Sequence, residues 1–313
     1  MNDSQNLADR YVNICKNSGF KAVFGDEDNK EVIISIINTL LQGKRKVTDI
    51  TFLRTEYQST DIKGKEFRYD FMCRDQSGAT FIVEMQCYPE VFWFKRVVSY
   101  VSRAYDRSLK SGDGYDVPPV YFFGFMNTDV QHAENEYWEK NWMAEYTFLE
   151  KHTQELLDET IFITFAELKR FRLKEAECIT PLERLLYLMK HSSSFSDRLP
   201  AWARDRIWQD FLRSCEIAAF SEQKRIKYEQ DMYDERRHMG EMLAATRIGL
   251  EEGLEKGREE GRAEGVAIGI EKGIEKGREE NKLEIARNLK SLNVDLNTIV
   301  RATGLTAEVI ESL

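Results

Sequence analysis

Cysteine and histidine are too scattered in this chain to indicate a zinc site or a disulfide framework. The 313 residues include five cysteines, with no CxxC pair and no histidine at a zinc-ligand spacing. The four histidines also lack the spacing of a triad or a metal site. We therefore expect the cysteines to be small hydrophobic side chains in a reducing compartment. They are Cys15, Cys73, Cys87, Cys178 and Cys215.

Long apolar runs are missing as well. No stretch approaches the roughly 20 residues that span a membrane, and the N-terminus MNDSQNLADR lacks the basic-then-apolar pattern of a signal peptide. A net charge of −9 argues against a surface that coats nucleic acid generally, although a local basic cleft remains compatible with it. These absences predict a cytoplasmic protein without a membrane partner.

The apolar pattern divides the chain into three regions. Residues 1–127 alternate helical and strand patterns, and we expect them to form a core with a mixed sheet. Residues 128–240 are mostly helical in pattern and are expected to pack on that core. Residues 241–313 form a charged tail with repeated glycines. No catalytic constellation stands out in the second region, where the clearest features are a strand at 160–165 and a helix at 179–191 with Pro181 in its first turn.

The first region predicts the order helix, three strands, helix, strand. The long helix before the last strand predicts a parallel crossover, which would be right-handed. The predicted helices are 29–41, with Asp26 or Asp28 as N-cap, and 92–112, ending at Gly112; the predicted strands are 47–57, 66–74, 79–87 and 119–126.

The tail carries glycine at every fourth position from residue 249 to residue 277. Four residues advance about 40° beyond one helical turn, so the glycines would form a slowly winding groove. Each costs about 1 kcal/mol relative to alanine, and an isolated helix would be marginal. Two interpretations stay open: a charged, partly helical linker, or a close-packed helix pair that joins two or more copies of the chain. Residues 295–313 predict two short helices around a turn at Gly304.

The strands 66–74 and 79–87 alternate apolar and polar residues, and the turn between them would pair Arg74 with Thr80. We expect one face to be core and the other to be polar. The expected core face comprises Phe67, Tyr69, Phe71, Cys73, Phe81, Val83, Met85 and Cys87. The other face comprises Arg68, Asp70, Met72, Arg74, Thr80, Ile82, Glu84 and Gln86.

This register places Asp70 opposite Glu84, and Arg68 opposite Gln86. Two carboxylates about 5 Å apart across a ladder destabilise each other unless a cation lies between them. Oxygen ligands in a site with room for water suit Mg²⁺. The alternative is an ordinary solvated face on which the arginines neutralise the acids. Partial cover by the helix at 92–112 favours the first interpretation.

In the order of its elements and in several short motifs, the chain resembles the PD-(D/E)XK nuclease superfamily, and more closely its recombination-promoting nuclease and transposase branch. The resemblance covers nearly the whole chain, and it is the order of the motifs that makes it specific. The motifs are Gly19-Phe20-Lys21-Ala22-Val23-Phe24-Gly25, Gly64-Lys65 followed by Asp70, Gly78 followed by Val83-Glu84-Met85-Gln86, Arg96 with Tyr100, and Gly114-Tyr115.

The resemblance implies a restriction-endonuclease-like αβββαβ core, with a mixed sheet flanked by helices, followed by a helical region and a glycine-repeat helical tail. It implies a Mg²⁺-dependent DNA endonuclease linked to recombination or mobile elements, with Mn²⁺ or Ca²⁺ able to substitute in binding. Asp70, Glu84 and the Met85 carbonyl would hold the metal, Glu31 is a further candidate, and Gln86 would orient the attacking water. Gln86 departs from the lysine of the superfamily motif, and an amide cannot supply an ammonium charge.

Double-stranded DNA is the implied partner, and basic residues of one helix face would follow its phosphates. The candidate DNA contacts are Lys21, Lys65, Arg96, Tyr100, Arg103 and Arg107. A solvated helix face is the alternative for the arginines. The alternative for the whole protein is a non-catalytic DNA-binding or assembly protein that keeps the nuclease fold.

Overall fold

The computed structural model describes residues 10–57, 67–109, 114–132, 134–195 and 198–313. They form two compact units, of which the first extends to Arg236 and the second covers Arg237–Leu313. The strands are β1 Ile50–Phe52, β2 Glu56–Tyr57, β3 Phe67–Arg68, β4 Phe71–Asp75, β5 Thr80–Gln86, β6 Val120–Met126, β7 Met143–Tyr146 and β8 Ile161–Glu167. The helices are α1 Asn17–Phe24, α2 Lys30–Leu41, α3 Trp93–Asp106, α4 Glu136–Lys140, α5 Pro181–His191, α6 Arg206–Cys215, α7 Glu222–Ser291, α8 Leu296–Thr303 and α9 Ala307–Ser312.

A six-stranded mixed sheet organises the first unit, in the order β1-β4-β5-β6-β8-β7. β5 pairs antiparallel with β4 and parallel with β6, so α3 is the crossover between two parallel neighbours, as predicted. The predicted strand at 160–165 is confirmed within β8, which lies parallel to β6. β7 was not predicted; it adds to the edge of the sheet by pairing antiparallel with β8.

The sheet is covered on both faces, and all seven residues of β5 are buried. On one face, Phe81 and Val83 join a large apolar cluster that contains residues of α1, α2, α5 and α6. On the other face, Ile82 lies in a second cluster with Trp93 and Val97 of α3. A parallel neighbour and helices on both sides explain this burial. The solvated-face interpretation is therefore wrong for this strand.

The predicted strand 66–74 is interrupted at Tyr69 and Asp70. The Tyr69 amide donates to the carbonyl of Thr55 at 2.8 Å. The chain therefore changes its pairing partner, and β3 pairs with β2 in a separate two-stranded sheet. Arg68 consequently pairs with Glu56, and the prediction that it faces Gln86 is wrong.

Side chains before the interruption change face. Phe67 and Tyr69 were expected on the large core face, but both pack in the second cluster, next to α3. From Phe71 onward the predicted register holds, with Phe71 opposite Val83 and Arg74 opposite Thr80. A local bend thus shifts the alternation without disturbing the paired part of the hairpin.

The two predicted helices of the first region are present with altered ends. Asp26 accepts a hydrogen bond from the Asp28 amide and caps a short 3₁₀ turn, while Asn29 precedes α2 without a side-chain cap. α3 ends at Asp106, earlier than predicted, and Gly112 lies outside the described residues. In the second region, α5 begins with Pro181, as predicted.

In the second unit, α7 includes the glycine repeat, and a Cβ added at any glycine from 249 to 277 would meet nothing within 4 Å. The two predicted C-terminal helices are confirmed as α8 and α9, with Gly304 at a φ of 73° between them. Ala286, Ile299 and Ile310 form their small core. Among the helices of the described chain, none combines the length and apolarity that crossing a bilayer requires.

Gly124 of β6 sits opposite Glu84 of β5, and aromatic rings pack closely against it. A Cβ at Gly124 would lie 2.8 Å from Cδ1 of Phe165 and 3.1 Å from Cε1 of Phe122. We expect Gly124→Ala to lower the free energy of unfolding by about 1–3 kcal/mol, because both rings are held inside a core. Urea denaturation measures this.

Gly114→Ala is the matched control, because a Cβ there meets nothing within 4 Å. Its effect should stay within about 0.5 kcal/mol. Equal stability of the two variants would contradict tight packing around Gly124.

Candidate active site

The interruption before β4 brings Asp70 against the end of β5. The backbone amide of Asp70 donates to Oε1 of Glu84 at 3.0 Å, and the amide of Met85 donates to Oδ2 of Asp70 at 3.0 Å. Each carboxylate is therefore fixed by the main chain of the segment that carries the other. Two residues that are distant in sequence form one rigid pair.

This pair keeps oxygen atoms for a further ligand. Within the described residues, Oδ1 of Asp70 and Oε2 of Glu84 accept no hydrogen bond. The carbonyl of Gln86 accepts from Asn127 of the β6 side, so the Met85 carbonyl points to the opposite edge, which β4 leaves unpaired. Two carboxylate oxygens and one carbonyl thus lie along the same edge of β5.

Loss of contact with water makes ionisation of the two carboxyl groups unfavourable. Glu84 is 3% exposed. Its pKa is raised well above the ordinary glutamate value, first by loss of water and then by the charge of Asp70. The pKa of Asp70 is raised as well, mainly by burial, against the opposing effect of the Met85 amide. A bound cation would favour the ionised form of both groups.

Two cations act on the pair from different elements. Lys21 of α1 and Arg96 of α3 each lower the pKa of both Asp70 and Glu84, although less than burial raises it. Arg96 also donates from Nη2 to Oε1 of Gln86 at 3.2 Å and lies 4.5 Å from the centre of the Trp93 ring. Positive charge therefore reaches the carboxylates from both sides of β5.

Gln86 is buried, and its side chain is held at both ends. Its Nε2 donates to the carbonyl of Tyr88 at 2.6 Å, while its Oε1 accepts from Arg96. The Tyr88 hydroxyl in turn donates to Oε1 of Glu235 at 3.3 Å. Gln86 is therefore oriented by the protein at the same edge of the sheet as the carboxylates.

The first part of α7 lies next to this site, a contact that the sequence did not predict. Oε2 of Glu235 accepts from the hydroxyl of Ser18 at 2.8 Å, next to Lys21 on α1. Asp231 lies near Lys21 too, and the Lys21 charge opposes the burial that raises the pKa of Asp231. No signal in the sequence could have found this contact, because both acids belong to a long charged segment more than 140 residues beyond Gln86.

Of the remaining predicted residues, Tyr100 lies near the carboxylates, since the charge of Glu84 adds to burial in raising its pKa. Glu31 is exposed in the first turn of α2, and within the described residues no contact joins its side chain to the pair. Tyr100 is buried, and its hydroxyl donates to the Arg68 carbonyl at 2.8 Å.

Arg103 and Arg107 lie over aromatic rings of the small β2–β3 sheet, Arg107 at 3.8 Å from its ring centre. Lys65 lies outside the described residues.

The donor set suits a metal that keeps much of its water. No group of three or more histidine, cysteine, aspartate or glutamate side chains comes together among the residues that the structure describes. Two carboxylates with a backbone carbonyl are, however, a sufficient protein contribution for Mg²⁺, which is octahedral and retains several water ligands. The same oxygen ligands do not suit zinc, which prefers nitrogen and sulfur.

Comparison with known families agrees with this geometry. The family model described as PD-(D/E)XK nuclease family transposase matches residues 16–239, which is more than half of the chain. The chain belongs to this family. The match begins just before α1 and includes both carboxylates, Gln86 and the first turns of α7. No curated protein matches the chain, and no solved structure matches it either.

The raised pKa of Glu84 predicts a stability effect that depends on pH. The folded chain holds this proton to a higher pH than the unfolded chain, so metal-free wild type loses stability as pH rises above about 4.3. Glu84→Gln keeps an acceptor for the Asp70 amide without the charge. We expect it to be more stable than wild type by about 1–2 kcal/mol at pH 7, and by less near pH 4, in urea denaturation with EDTA.

Millimolar Mg²⁺ should stabilise wild type but not Glu84→Gln, since binding to the folded state raises its stability. Glu31→Gln is the control, because its exposed side chain is not desolvated on folding. A Glu84→Gln variant that is less stable than wild type at every pH would contradict the assigned electrostatics.

Proposed function

We propose that this family member is a Mg²⁺-dependent endonuclease that hydrolyses phosphodiester bonds of double-stranded DNA. The observation that carries this proposal is the reciprocal pair of Asp70, which is half-buried, and Glu84, which is buried. Both have a raised pKa, and each has a carboxylate oxygen that accepts no hydrogen bond within the described residues. If these carboxylates served only in a structural ion pair, a lysine or arginine would lie within salt-bridge distance of one of them. No such ion pair with either carboxylate occurs in the described chain.

Each residue of the site has a separate task in this proposal. Asp70, Glu84 and the Met85 carbonyl would hold the metal, which supplies Lewis acidity and an acidified water when bound. Gln86, fixed by Tyr88 and Arg96, would accept from and orient the attacking water. The charges of Lys21 and Arg96 would stabilise the negative charge that grows on the phosphate oxygens.

DNA would reach this site over the α3 side of the sheet. Arg103 and Arg107 lie across Phe67 and Tyr57, at 5.2 and 3.8 Å from the ring centres. Stacking holds a guanidinium plane by its face and leaves its N–H edges able to donate to phosphates. We propose these arginines, with Lys21 and Lys65, as contacts to the DNA backbone.

Plasmid nicking by the purified protein tests the function. We expect cleavage with Mg²⁺, none with EDTA, and at least a hundredfold lower rate for Glu84→Gln and Asp70→Asn, because each removes a negatively charged ligand. The rate of conversion of supercoiled plasmid to open circles measures this.

Glu167→Gln is the matched control, since it removes another buried carboxylate at the end of a strand, 2% exposed and paired with His132. It should retain cleavage. Activity that survives both EDTA and Glu84→Gln would contradict the mechanism. A wild type that binds DNA and never cuts it would instead establish the non-catalytic alternative.

We further propose that α7 joins copies of the chain through residues 249–277. Exposed apolar side chains stand one position after five of the eight glycines, and arginines follow the other three. The apolar side chains are Leu250, Leu254, Val266, Ile270 and Ile274, each more than half exposed. Glycines allow two helix backbones to approach closely, and the flanking glutamates, lysines and arginines give both signs of charge to a like partner.

Substitution of these apolar side chains tests the assembly in the full chain. Leu254→Glu with Ile270→Glu should convert a dimer or higher oligomer to monomer, because charges would enter the apolar contact. Sedimentation equilibrium gives the mass. Glu255→Gln with Glu271→Gln, at neighbouring positions, should leave it unchanged. A wild type that is already monomeric would exclude this role for the tail.

The proposed location is the cytoplasm. All five cysteines are free, and four of them are buried, as expected of thiols in a reducing compartment.

A further inference from the structure

An arginine-lined groove lies on the first unit, away from the carboxylate pair. Its volume is about 870 Å³, and it is lined by Arg10, Arg198, Arg204 and Arg213, with Glu216 as the one acid among the described residues that line it. Apolar residues such as Leu212 form part of its wall. In a chain with a net charge of −9, four arginines facing one groove are a local reversal of charge.

The groove has a fixed frame. Tyr11 forms a β-bridge with Glu216, and the amides of Val12 and Ile217 donate to Cys215 and Arg10 at 2.9 and 3.0 Å. The wall residues Tyr11 and Leu212 are buried. The arginines therefore project from a rigid base that does not have to order itself around a ligand.

Two of the four arginines lie close to an acidic side chain, and the other two have no acidic partner among the residues that the structure describes. Arg10 pairs with Glu216 at 2.9 Å, and the largely exposed Arg198 lies 3.6 Å from Glu175. Arg204 and Arg213 are exposed and make no ion pair with any residue that the structure describes. Arg204 and Arg213 thus present N–H donors to the groove without an acidic partner, which suits a ligand with several phosphates.

Chain connectivity places the groove within reach of a duplex bound at the carboxylates. The carbonyl of Cys15 accepts from the Cys87 thiol at 3.2 Å and from Asn127 at 3.1 Å, at the end of β5 and β6 where Gln86 lies. Tyr11, in the groove, is four residues earlier, so its Cα is at most about 14 Å from that of Cys15. A duplex carries about eight phosphates over that length.

We propose that this groove binds the phosphodiester backbone of the duplex a few base pairs from the bond that is cut. This rests on the proposed function and adds to it a second DNA-binding surface, on residues outside α1 and α3. The groove is open, with Arg10 and Arg198 side chains 49% and 87% exposed, whereas sites for small ligands enclose most of the ligand. An open row of arginines instead follows a polyanion and reads no base sequence.

Duplex binding by Arg204→Gln with Arg213→Gln tests the proposal. Fluorescence anisotropy with a labelled duplex of about 30 base pairs, in EDTA, gives the dissociation constant over a range of salt concentrations. We expect roughly tenfold weaker binding than wild type, the same for unrelated sequences, and a slope of log Kd against log salt that is smaller by about 2.

Arg206→Gln with Arg225→Gln is the matched control. It removes two positive charges from the same unit, one of them on α6, at residues that do not line the groove. The control pair should bind DNA like wild type, and both variants should keep the wild-type melting temperature. An equal loss of DNA affinity in the two double variants, or no loss of affinity in Arg204→Gln with Arg213→Gln (the groove pair), would overturn the proposal.

Cleavage with Mg²⁺ is scored separately, so that the groove and the nuclease activity can fail independently. Weaker binding by the groove pair with no cleavage by any variant would support the groove and contradict the proposed reaction. Normal cleavage by wild type with unchanged DNA binding by the groove pair would support the proposed reaction and contradict the role of the groove.

Discussion

The site depends on the point where strand pairing stops. β4 and β5 are paired as far as Phe71 and Val83, but β5 continues to Gln86 while the other chain turns away at Asp70. The unpaired edge of β5 needs hydrogen-bond partners because it is buried. The carboxylate of Asp70 supplies one for the Met85 amide, and Glu84 supplies one for the Asp70 amide. The same two bonds that complete the backbone hold the acids in position.

Burial on both faces gives that arrangement its chemical character. A carboxylate pair on a solvated hairpin would be screened by water and by surface arginines, with small effects on either pKa. Here α3 covers one face and α1 approaches the strand end, so water is excluded and ionisation of Glu84 becomes unfavourable. Ionisation of the two carboxylates at this edge is therefore unfavourable in the folded chain, and a divalent cation bound there would make it more favourable.

Sequence periodicity predicted the strands of the sheet other than β7, but it did not predict which faces the side chains near the bend occupy. The alternation from Phe71 to Asp75 and from Thr80 to Gln86 predicts the observed pairing, because two-residue periodicity follows directly from the pleat. Tyr69 breaks the pattern because its amide donates to the carbonyl of Thr55, just before β2, and this tertiary contact leaves no trace in local composition. The same limitation applies to Glu235, whose contact with Ser18 joins segments more than 200 residues apart.

Gln86 shows how a motif position can change without loss of the surrounding order. A lysine there would place an ammonium beside Arg96, whose guanidinium already lies 3.2 Å from Oε1 of Gln86, and the two cations would repel. The amide avoids this and still joins Arg96 to the Tyr88 carbonyl. Positive charge near the carboxylates is supplied by Arg96 and by Lys21, on two different helices. Strand β5 can therefore carry an amide at this position because the cationic function does not have to come from the strand.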